Sequence, residues 1–312
     1  MKKQVLSIHD ILAQVEVQVR PHFGKGRNAS YIPELATVDP KKFGMAVVIL
    51  GQNGQAHEEY VMGDGDEPFS SQSITKLFSL GLALNRIGDE VWTRVGKEPS
   101  GTPFNYLSQL EHENGVPRNP FINAGALAIT DILLSKVREP DSLIKGFMGF
   151  LANSDLSIDE AVAASELETA HKNRAIANLM RGFGTIDHEV EAVIEAYCRQ
   201  CAIKITCREL ARAALPLASS GFSPIVCESV FPERLTRRMN ALLLTCGIYD
   251  AVGSFAYRVG LPAKSGVGGG IVAVMPGLGS VCVWSPELDR YYVAAPASEG
   301  ADAAVLVYAP QN

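Results

Sequence analysis

Two residues in one short segment have the types and the spacing of a nucleophile and its base. In "FSSQSITKLFSL", residues 69–80, a polar run passes into an apolar one, and Lys76 follows Ser73 by three positions. A helix that begins near Ser71 or Gln72 would place both side chains on one face. Its unpaired first-turn amides and positive dipole end would favour an oxyanion near Ser73 and a neutral Lys76, which can take a serine proton. Ordinary helix capping beside a solvated lysine gives the same pattern.

A second motif, in the other half of the chain, favours the chemical interpretation. The S-x-x-K spacing alone has little specificity, since residues 142–145 repeat it. The segment "LPAKSGVGGGI" adds Lys264-Ser265-Gly266 at the start of a predicted strand. Serine acyl-transferases of the β-lactamase type combine S-x-x-K on a helix with K-[ST]-G on the facing strand. That strand supplies a backbone N–H to the oxyanion hole, and its glycines let the substrate come close. Tyr249, which follows a helical pattern, could complete the proton relay.

The composition is globular and argues against nucleic-acid and membrane partners. The chain has 312 residues, 47% of them hydrophobic and 20% charged, with a net charge of −6. This length exceeds what one hydrophobic core usually supports, so we expect one large domain or two closely packed lobes. The negative charge and the lack of a long basic run do not suit nucleic acid or an anionic membrane. No apolar stretch approaches the roughly 18 residues of a transmembrane helix.

The six cysteines predict free thiols in a reducing compartment. A disulfide scaffold is unusual in a chain of this length, so we expect a cytoplasmic location. Cys198 and Cys201 form a C-x-x-C motif inside a helical apolar pattern. No second cysteine pair and no histidine lies at the spacing of a zinc site, so we predict packed core thiols. The histidines show no metal-ligating pattern either, and we expect neither a metal nor a cofactor.

The order of predicted elements indicates an α+β fold. An amphipathic N-terminal helix precedes a predicted β-hairpin of residues 43–50 and 56–63, because two apolar runs flank the turn segment "GQNGQ". Near the C-terminus the β runs "KSGVGGGIVAVM" and "GSVCVWS" are followed by "SEGADAAVLVYA", a predicted closing helix. We therefore predict a two-layer architecture, an antiparallel sheet with flanking helices built from both chain ends plus an inserted all-helical lobe.

The inserted region is recognised by helical periodicity between about residues 104 and 250. Two capping boxes are predicted there, Ser157 with Glu160 and Thr206 with Glu209. Pro232 suits the first turn of a further helix.

Seven segments resemble, in order, the signature blocks of the serine-dependent glutaminases. They are "YIPELA", "QSITK", "VGKEPSGTPFN", "NPFINAGA", "SELETAHKN", "TCGIYD" and "LPAKSGVGGGI". The resemblance implies the β-lactamase/DD-peptidase-like fold. It also implies one catalytic unit, residues 23–309, with an α/β lobe (about 1–72 and 251–312) and a helical lobe (about 73–250).

The resemblance implies four catalytic positions. Ser73 matches the nucleophile and Lys76 matches its general base. Tyr249 matches a tyrosine that contacts the substrate, and Val267 matches the residue whose backbone N–H joins that of the nucleophile in the oxyanion hole. Lys264 stays open, either as a structural lysine at a strand end or as a group that helps to bind a carboxylate, as in related folds.

The resemblance also implies a substrate-binding set. Its members are Tyr31, Gln72, Ser73, Asn123, Glu166, Asn173, Tyr197, Tyr249 and Val267, of which Glu166 would receive the α-ammonium group. Glutamine is a zwitterion with a neutral side-chain amide, and this set offers one carboxylate, several neutral donors and a nucleophile. Taken singly, Glu166 reads as a solvated glutamate and Asn123 as a helix start. Asn173 and Tyr197 rest almost wholly on the resemblance.

The implied function is hydrolysis of the side-chain amide of L-glutamine to L-glutamate and ammonia through a γ-glutamyl ester on Ser73. The resemblance further implies a homo-oligomer, a dimer or a tetramer. Two alternatives remain at this point. The same fold could act on a β-lactam or a D-Ala-D-Ala peptide, although no export signal is visible. A non-catalytic binding protein could keep the pocket, although it would be expected to lose Ser73, Lys76 or Tyr249.

Overall fold

A five-stranded antiparallel sheet lies at the centre of the structure, a computed structural model that describes residues 7–51, 57–101 and 105–294. Its strands, with those of two small sheets, are β1 Gly44–Leu50, β2 His57–Gly63, β3 Phe69–Ser70, β4 Ser157–Ile158, β5 Ile203–Ile205, β6 Phe222–Ser223, β7 Glu228–Ser229, β8 Ala263–Ser265, β9 Gly270–Met275 and β10 Gly279–Trp284. The α-helices are α1 Ile8–Val19, α2 Pro33–Ala36, α3 Thr75–Ile87, α4 Leu107–His112, α5 Asn123–Leu134, α6 Pro140–Ala152, α7 Glu160–Thr169, α8 His171–Gly182, α9 Val190–Cys201, α10 Cys207–Ala218, α11 Glu233–Cys246 and α12 Val252–Val259. Short 3₁₀ helices are Arg20–His22, Gln72–Ile74, Gly88–Thr93 and Tyr249–Ala251.

Strands from both ends of the chain make up the main sheet. The order is β2-β1-β10-β9-β8, so the first hairpin pairs with the last one through β1 and β10. Both predicted hairpins, β1–β2 and β9–β10, are confirmed. The predicted fold class is therefore confirmed in its main feature, a sheet assembled from both ends of the chain. The division into two lobes within residues 23–309 stays a prediction.

Helices cover both faces of the sheet, which corrects the predicted two-layer arrangement. Val272, Val274 and Trp284 point into one hydrophobic core, to which α10 and the helical region contribute. Ile271 and Val283 point into the other, which includes apolar side chains of α1 and α12. Every residue of β9 and β10 is buried. The near-continuous apolar runs of these strands are typical of a sheet covered on both faces.

The segment that carries Ser73 is joined to the helical region by a small sheet, β3-β5-β4. Phe69 of β3 pairs with Ile205, and Ser157 of β4 pairs with Lys204 on the other side. The sequence did not predict this sheet, because strands of two or three residues leave almost no periodic pattern. It fixes the point at which the chain turns into α3.

The predicted helix starts agree with the structure in part. Thr206 and Glu209 form the expected capping box of α10. The box at Ser157 and Glu160 is wrong, because Ser157 lies in β4 and the carboxylate of Asp159 accepts from the first backbone amides of α7. Pro232 is the N-cap of α11, one position before its first turn. The predicted closing helix lies outside the described residues.

The structure bears on three further expectations, which concern the thiols, membrane-spanning helices and metal sites. All six cysteines are free, and Cys227 alone among them is exposed. Among the described residues, no single helix is long and apolar enough to cross a membrane; the pair Glu233–Cys246 and Tyr249–Val259 reaches that length only together, bent by 94°. Within the same residues, no group of three or more His, Cys, Asp or Glu could hold a metal ion.

Candidate active site

Ser73 lies in the 3₁₀ turn that leads into α3, as the spacing predicted, but the polar run before it does not cap that helix. No side chain caps this turn. Instead, the hydroxyl of Ser70 donates to the carbonyl of Cys201 at 3.1 Å, and that of Ser71 donates to Ile203 at 2.8 Å. Gln72, beside Ser73, has a φ of +48°, an uncommon conformation for a residue with a side chain. Strain of this kind often marks a functional site.

The ammonium group of Lys76 is buried beneath this turn. It donates to Asn123 Oδ1 at 2.7 Å and to the carbonyl of Phe121 at 3.3 Å. Burial lowers the pKa of Lys76 to about 8, while Cys201 and Glu166 act in the opposite direction. Burial is therefore the main cause of the lowered pKa of Lys76. A lysine with such a pKa is neutral often enough near neutral pH to act as a base.

Tyr249 approaches Ser73 from the other side of the site. It opens the 3₁₀ helix Tyr249–Ala251 with a φ of +41°, a second strained position beside Ser73. Burial raises the pKa of Tyr249, and an interaction with the Ser73 side chain partly offsets that rise. The raised pKa keeps the phenol protonated, so its O–H can donate.

Lys264 lies under the Tyr249 ring. Its ammonium group is 4.5 Å from the ring centroid and donates to the carbonyls of Gly247 and Ser265 at 3.0 and 2.6 Å. Burial first, and then the charge of Lys76, lower the pKa of Lys264 well below its ordinary value. These contacts suit a residue that supports Tyr249 better than one that binds a carboxylate.

The glycine-rich turn after β8 packs against the chain just before Ser73. A Cβ atom on Gly266 would lie 2.6 Å from the Ser71 carbonyl oxygen, and one on Gly268 would lie 2.1 Å from that of Ser70. Only glycine fits such an approach. Val267, between these two glycines, is thereby held next to the segment that carries Ser73, where an oxyanion-hole amide would be needed.

Glu166 is the acidic group of the site. It lies in α7, is 7% exposed, and accepts a hydrogen bond from Gln72 Nε2 at 3.1 Å. Burial raises the pKa of Glu166 to about 7, while Gln72, Lys76 and Cys201 lower it in part. Among the residues that the structure describes, no lysine or arginine forms an ion pair with Glu166, and a buried carboxylate of this kind suits a cationic ligand group.

Three further predicted residues form one hydrogen-bonded group around Asn123. Its Nδ2 donates to Asn173 Oδ1 at 2.9 Å, and its Oδ1 accepts from the Tyr197 hydroxyl at 3.4 Å as well as from Lys76. The three come from α5, α8 and α9, so only the tertiary fold brings them together.

Tyr31 lies at the rim of the site, with 47% of the residue exposed. Its hydroxyl end is crowded nonetheless. Burial raises the pKa of Tyr31 well above its ordinary value, and the neighbouring Tyr249 and Glu166 add to the rise. Its ring also meets that of Tyr292 edge-on, with centroids 6.2 Å apart.

Two site residues were not identified from the sequence. The thiol of Cys201 lies close enough to Glu166 and to Tyr197 to shift the pKa of both, so this predicted core cysteine also lines the site. Its position four residues after Tyr197, on the same face of α9, was a signal that could have revealed it. Phe121 contributes a backbone carbonyl that accepts a hydrogen bond from Lys76. A pattern of side chains in the sequence cannot predict a contact of this kind.

Comparison with known sequences identifies relatives over almost the whole chain. A sequence model of the Glutaminase family matches residues 26–297. A glutaminase of Caulobacter vibrioides (strain NA1000 / CB15N) is 69% identical over 288 residues, which is 92% of this chain and 92% of that protein.

Solved structures show the same fold. The probable glutaminase YbaS has a TM-score of 0.89 at 32% identity and covers 97% of this chain and 98% of its own. The Bacillus subtilis glutaminase YbgJ, solved as its covalent complex with 5-oxo-L-norleucine formed from 6-diazo-5-oxo-L-norleucine, has a TM-score of 0.84 at 33% identity and covers 96% and 97%. The predicted β-lactamase-like fold is thus confirmed. This chain belongs to the serine-dependent glutaminase family, and it is an enzyme with glutaminase activity.

Proposed function

We propose that the enzyme hydrolyses L-glutamine through a γ-glutamyl ester on Ser73. The observation that carries this proposal is the interaction of Tyr249 with the Ser73 side chain in a buried site that also holds Lys76 with a pKa of about 8. A nucleophile, a proton acceptor and a proton donor are thereby present in one place. The covalent complex of YbgJ with a norleucine derivative supports the same chemistry in a relative.

The reaction would begin with proton transfer from Ser73 to neutral Lys76 as Ser73 Oγ attacks Cδ of the amide. The backbone N–H groups of Ser73 and Val267 would hold the oxyanion. Collapse of the tetrahedral intermediate breaks the C–N bond, and the proton that Lys76 took from Ser73 passes, directly or through Tyr249, to the leaving nitrogen, so that ammonia departs and Lys76 is neutral again. Water then attacks the ester and gives a proton to Lys76, which passes it to Ser73 Oγ as the ester bond breaks and glutamate is released.

Substrate recognition would use the remaining residues. The carboxylate of Glu166 would receive the α-ammonium group of glutamine. Asn123, Asn173 and the tyrosine hydroxyls would donate to its α-carboxylate, because neutral donors hold a carboxylate without adding a competing charge. The closed site, with Ser73 only 6% exposed, would strengthen these contacts by excluding water.

The test is release of ammonia and glutamate by the unmodified enzyme and by Ser73→Ala. We expect glutamine-specific release that Ser73→Ala abolishes, with no release from L-asparagine and no hydrolysis of a chromogenic β-lactam. Ser142→Ala is the matched control, because Ser142 begins the other S-x-x-K motif, is exposed, and lies away from the site. Intact-mass measurement after treatment with 6-diazo-5-oxo-L-norleucine should show one adduct that Ser73→Ala lacks. Unchanged turnover in Ser73→Ala would reject the mechanism.

The cytoplasmic location and the dimer or tetramer remain predictions from the cysteines and from the resemblance. Cell fractionation and light scattering of the purified enzyme would test them.

A further inference from the structure

The turn that presents Val267 is rich in glycine and needs external restraint. Positions 266, 268, 269 and 270 are all glycine. Such a stretch has more conformational freedom than any other composition, so its backbone does not hold a fixed position by itself. Gly269 also has a φ of +96°. An oxyanion-hole amide must nevertheless be placed within a fraction of an ångström to act in the transition state.

Backbone hydrogen bonds restrain part of this turn. Gly266 N–H donates to the Gly270 carbonyl at 2.9 Å, and Gly269 N–H donates back to Gly266 at 3.0 Å. Ser285 N–H donates to the Gly269 carbonyl, also at 3.0 Å. These bonds hold the two ends of the turn, whereas the carbonyl of Gly268, next to Val267, depends on a side chain.

That side chain is Trp284, at the end of β10. Its indole Nε1–H donates to the Gly268 carbonyl at 2.9 Å. The indole is 1% exposed and stacks on Phe69, with ring centroids 5.1 Å apart and an interplanar angle of 8°. Phe69 lies in β3, immediately before the Ser73 turn, and its ring would contact a Cβ atom on Gly270 at 2.7 Å. The indole therefore touches the approach to Ser73 and the turn of Val267 at once.

We propose that Trp284 is a positioning residue of the glutaminase reaction: its indole N–H holds the Gly268 carbonyl and so fixes the backbone N–H of Val267 relative to Ser73. The inference rests on the proposed function of Val267 in the oxyanion hole. In this role Trp284 touches no reacting atom. It acts by keeping two chain segments in register, one through a hydrogen bond and the other through ring stacking.

The test separates the indole N–H from the bulk of the ring. Trp284→Phe keeps an aromatic ring against Phe69 and loses the donor. Replacement of Trp284 by 3-benzothienylalanine keeps the shape of the indole and exchanges only the N–H for sulfur, so it decides the question if Trp284→Phe does not fold. The matched control is Trp92→Phe, since Trp92, the other tryptophan, donates its indole N–H to Asp89 at 3.2 Å far from the site.

We expect kcat to fall about tenfold in both Trp284 variants, because a loosened oxyanion donor mainly affects the transition state. KM should stay within about twofold, as should the Kd of L-glutamine measured with Ser73→Ala against the double variant Ser73→Ala, Trp284→Phe. Trp92→Phe should leave kcat unchanged. If Trp284 had a purely structural role, its variants would instead have a lower midpoint of thermal unfolding and a smaller fraction of active enzyme. Their kcat would be unchanged when it is calculated per site labelled by 6-diazo-5-oxo-L-norleucine.

Three results would overturn the proposal: an unchanged kcat in the benzothienylalanine variant, a rise in KM without loss of kcat, or an equal loss in Trp92→Phe. The Ser73→Ala enzyme, assayed in parallel, reports on the proposed function separately. If it remained active, the Ser73 mechanism would be rejected whatever the Trp284 variants did.

Discussion

At the scale of single residues, the site combines two groups whose pKa values move toward neutrality from opposite directions. Lys76 is lowered to about 8 and Glu166 is raised to about 7, both chiefly by burial. Each group is closer to its uncharged form than an exposed lysine or glutamate would be. This suits the proposed mechanism, in which Lys76 accepts a proton and Glu166 receives the ammonium group of the substrate.

The pH dependence of the reaction follows from these two values. In the proposed mechanism Lys76 can act as a base only when neutral, so kcat should rise with pH up to about 8 and then level off. Glu166 would bind an ammonium group only when ionised, so kcat/KM should fall more steeply than kcat below about pH 7. Steady-state kinetics from about pH 5.5 to about pH 9.5, roughly 1.5 units below the lower value and above the higher one, would show both effects.

Lys76→Arg is the matching variant, because arginine keeps the charge but has no accessible neutral form. We expect it to be inactive across this whole range. A flat kcat profile in the unmodified enzyme, or a rise of kcat with pH that persists in Lys76→Arg, would contradict the assignment of Lys76 as the base.

At the scale of elements, the site depends on how closely backbone segments approach each other. At Gly268 the backbone approaches the Ser70 carbonyl so closely that a Cβ atom would lie 2.1 Å from its oxygen. The φ of Gly268 lies outside the region that favours glycine, so only the lack of space excludes a side chain there. The starts of helices also depend on local backbone contacts, because a capping side chain that accepts from first-turn amides stabilises one starting position over others. Each case yields a test with a matched control.

Gly268→Ala should lower kcat about 100-fold, since the new methyl group would force the Val267 turn away from Ser73. Gly146→Ala is the control: a Cβ atom on Gly146 would meet nothing within 4 Å, and the residue lies inside α6. It should leave kcat unchanged and stabilise the fold by up to about 1 kcal/mol. Assays of both purified variants, normalised by labelling with 6-diazo-5-oxo-L-norleucine, would measure this; equal activity would argue against a tightly placed turn.

Thr206→Ala should lower the free energy of unfolding by about 1 kcal/mol, because α10 loses its capping box. Ser157→Ala should change it by less than about 0.5 kcal/mol, since Ser157 is exposed and caps no helix. Urea unfolding of both variants, at the pH of the activity assay, gives the comparison. A larger loss for Ser157→Ala than for Thr206→Ala would mean that the capping assignment is reversed.

At the scale of the whole molecule, a buried carboxylate joins parts of the chain that are distant in sequence. Asp131 in α5 pairs with Arg94 and with His188 Nδ1, the latter at 2.9 Å. It also accepts from the backbone N–H groups of Asp187 and His188 at 3.2 and 2.9 Å. Burial alone would raise the pKa of Asp131, but these donors together lower it.

Asp131→Asn should lower the free energy of unfolding at neutral pH by about 3 kcal/mol, because it leaves Arg94 without its buried partner. The pKa of Asp131 is lowered in the folded protein, so its contribution is present above the ordinary pKa and is lost as pH falls through the lowered value. The difference between unmodified and variant protein should therefore shrink in acid. Urea unfolding at pH 7 and at pH 3 would measure it, with Asp89→Asn, an exposed partner of Arg238, expected to change nothing measurable. A difference that grew in acid would contradict this sign.

The sequence by itself determined the hairpins, the long helices, the capping box at Thr206 and the positions of Ser73, Lys76 and Tyr249. A local sequence pattern predicts each of these features: a hydrophobic period, a turn motif, or a fixed spacing along the chain. The ordered blocks, read as a resemblance, added the family and the set around Glu166. Local patterns failed at Ser157, where pairing with Lys204 in a short strand took precedence over a capping signal.

Only the tertiary structure decided which groups meet. The contact of Asn123 with Lys76, Asn173 and Tyr197, the place of Cys201 beside Glu166, and the indole of Trp284 against Gly268 all join residues from separate elements. The covering of both sheet faces and the lowered pKa of Lys76 also arise from the packing of separate elements against each other. Burial is a property of what surrounds a residue, and a chain's neighbours in space are fixed only when all its elements have packed.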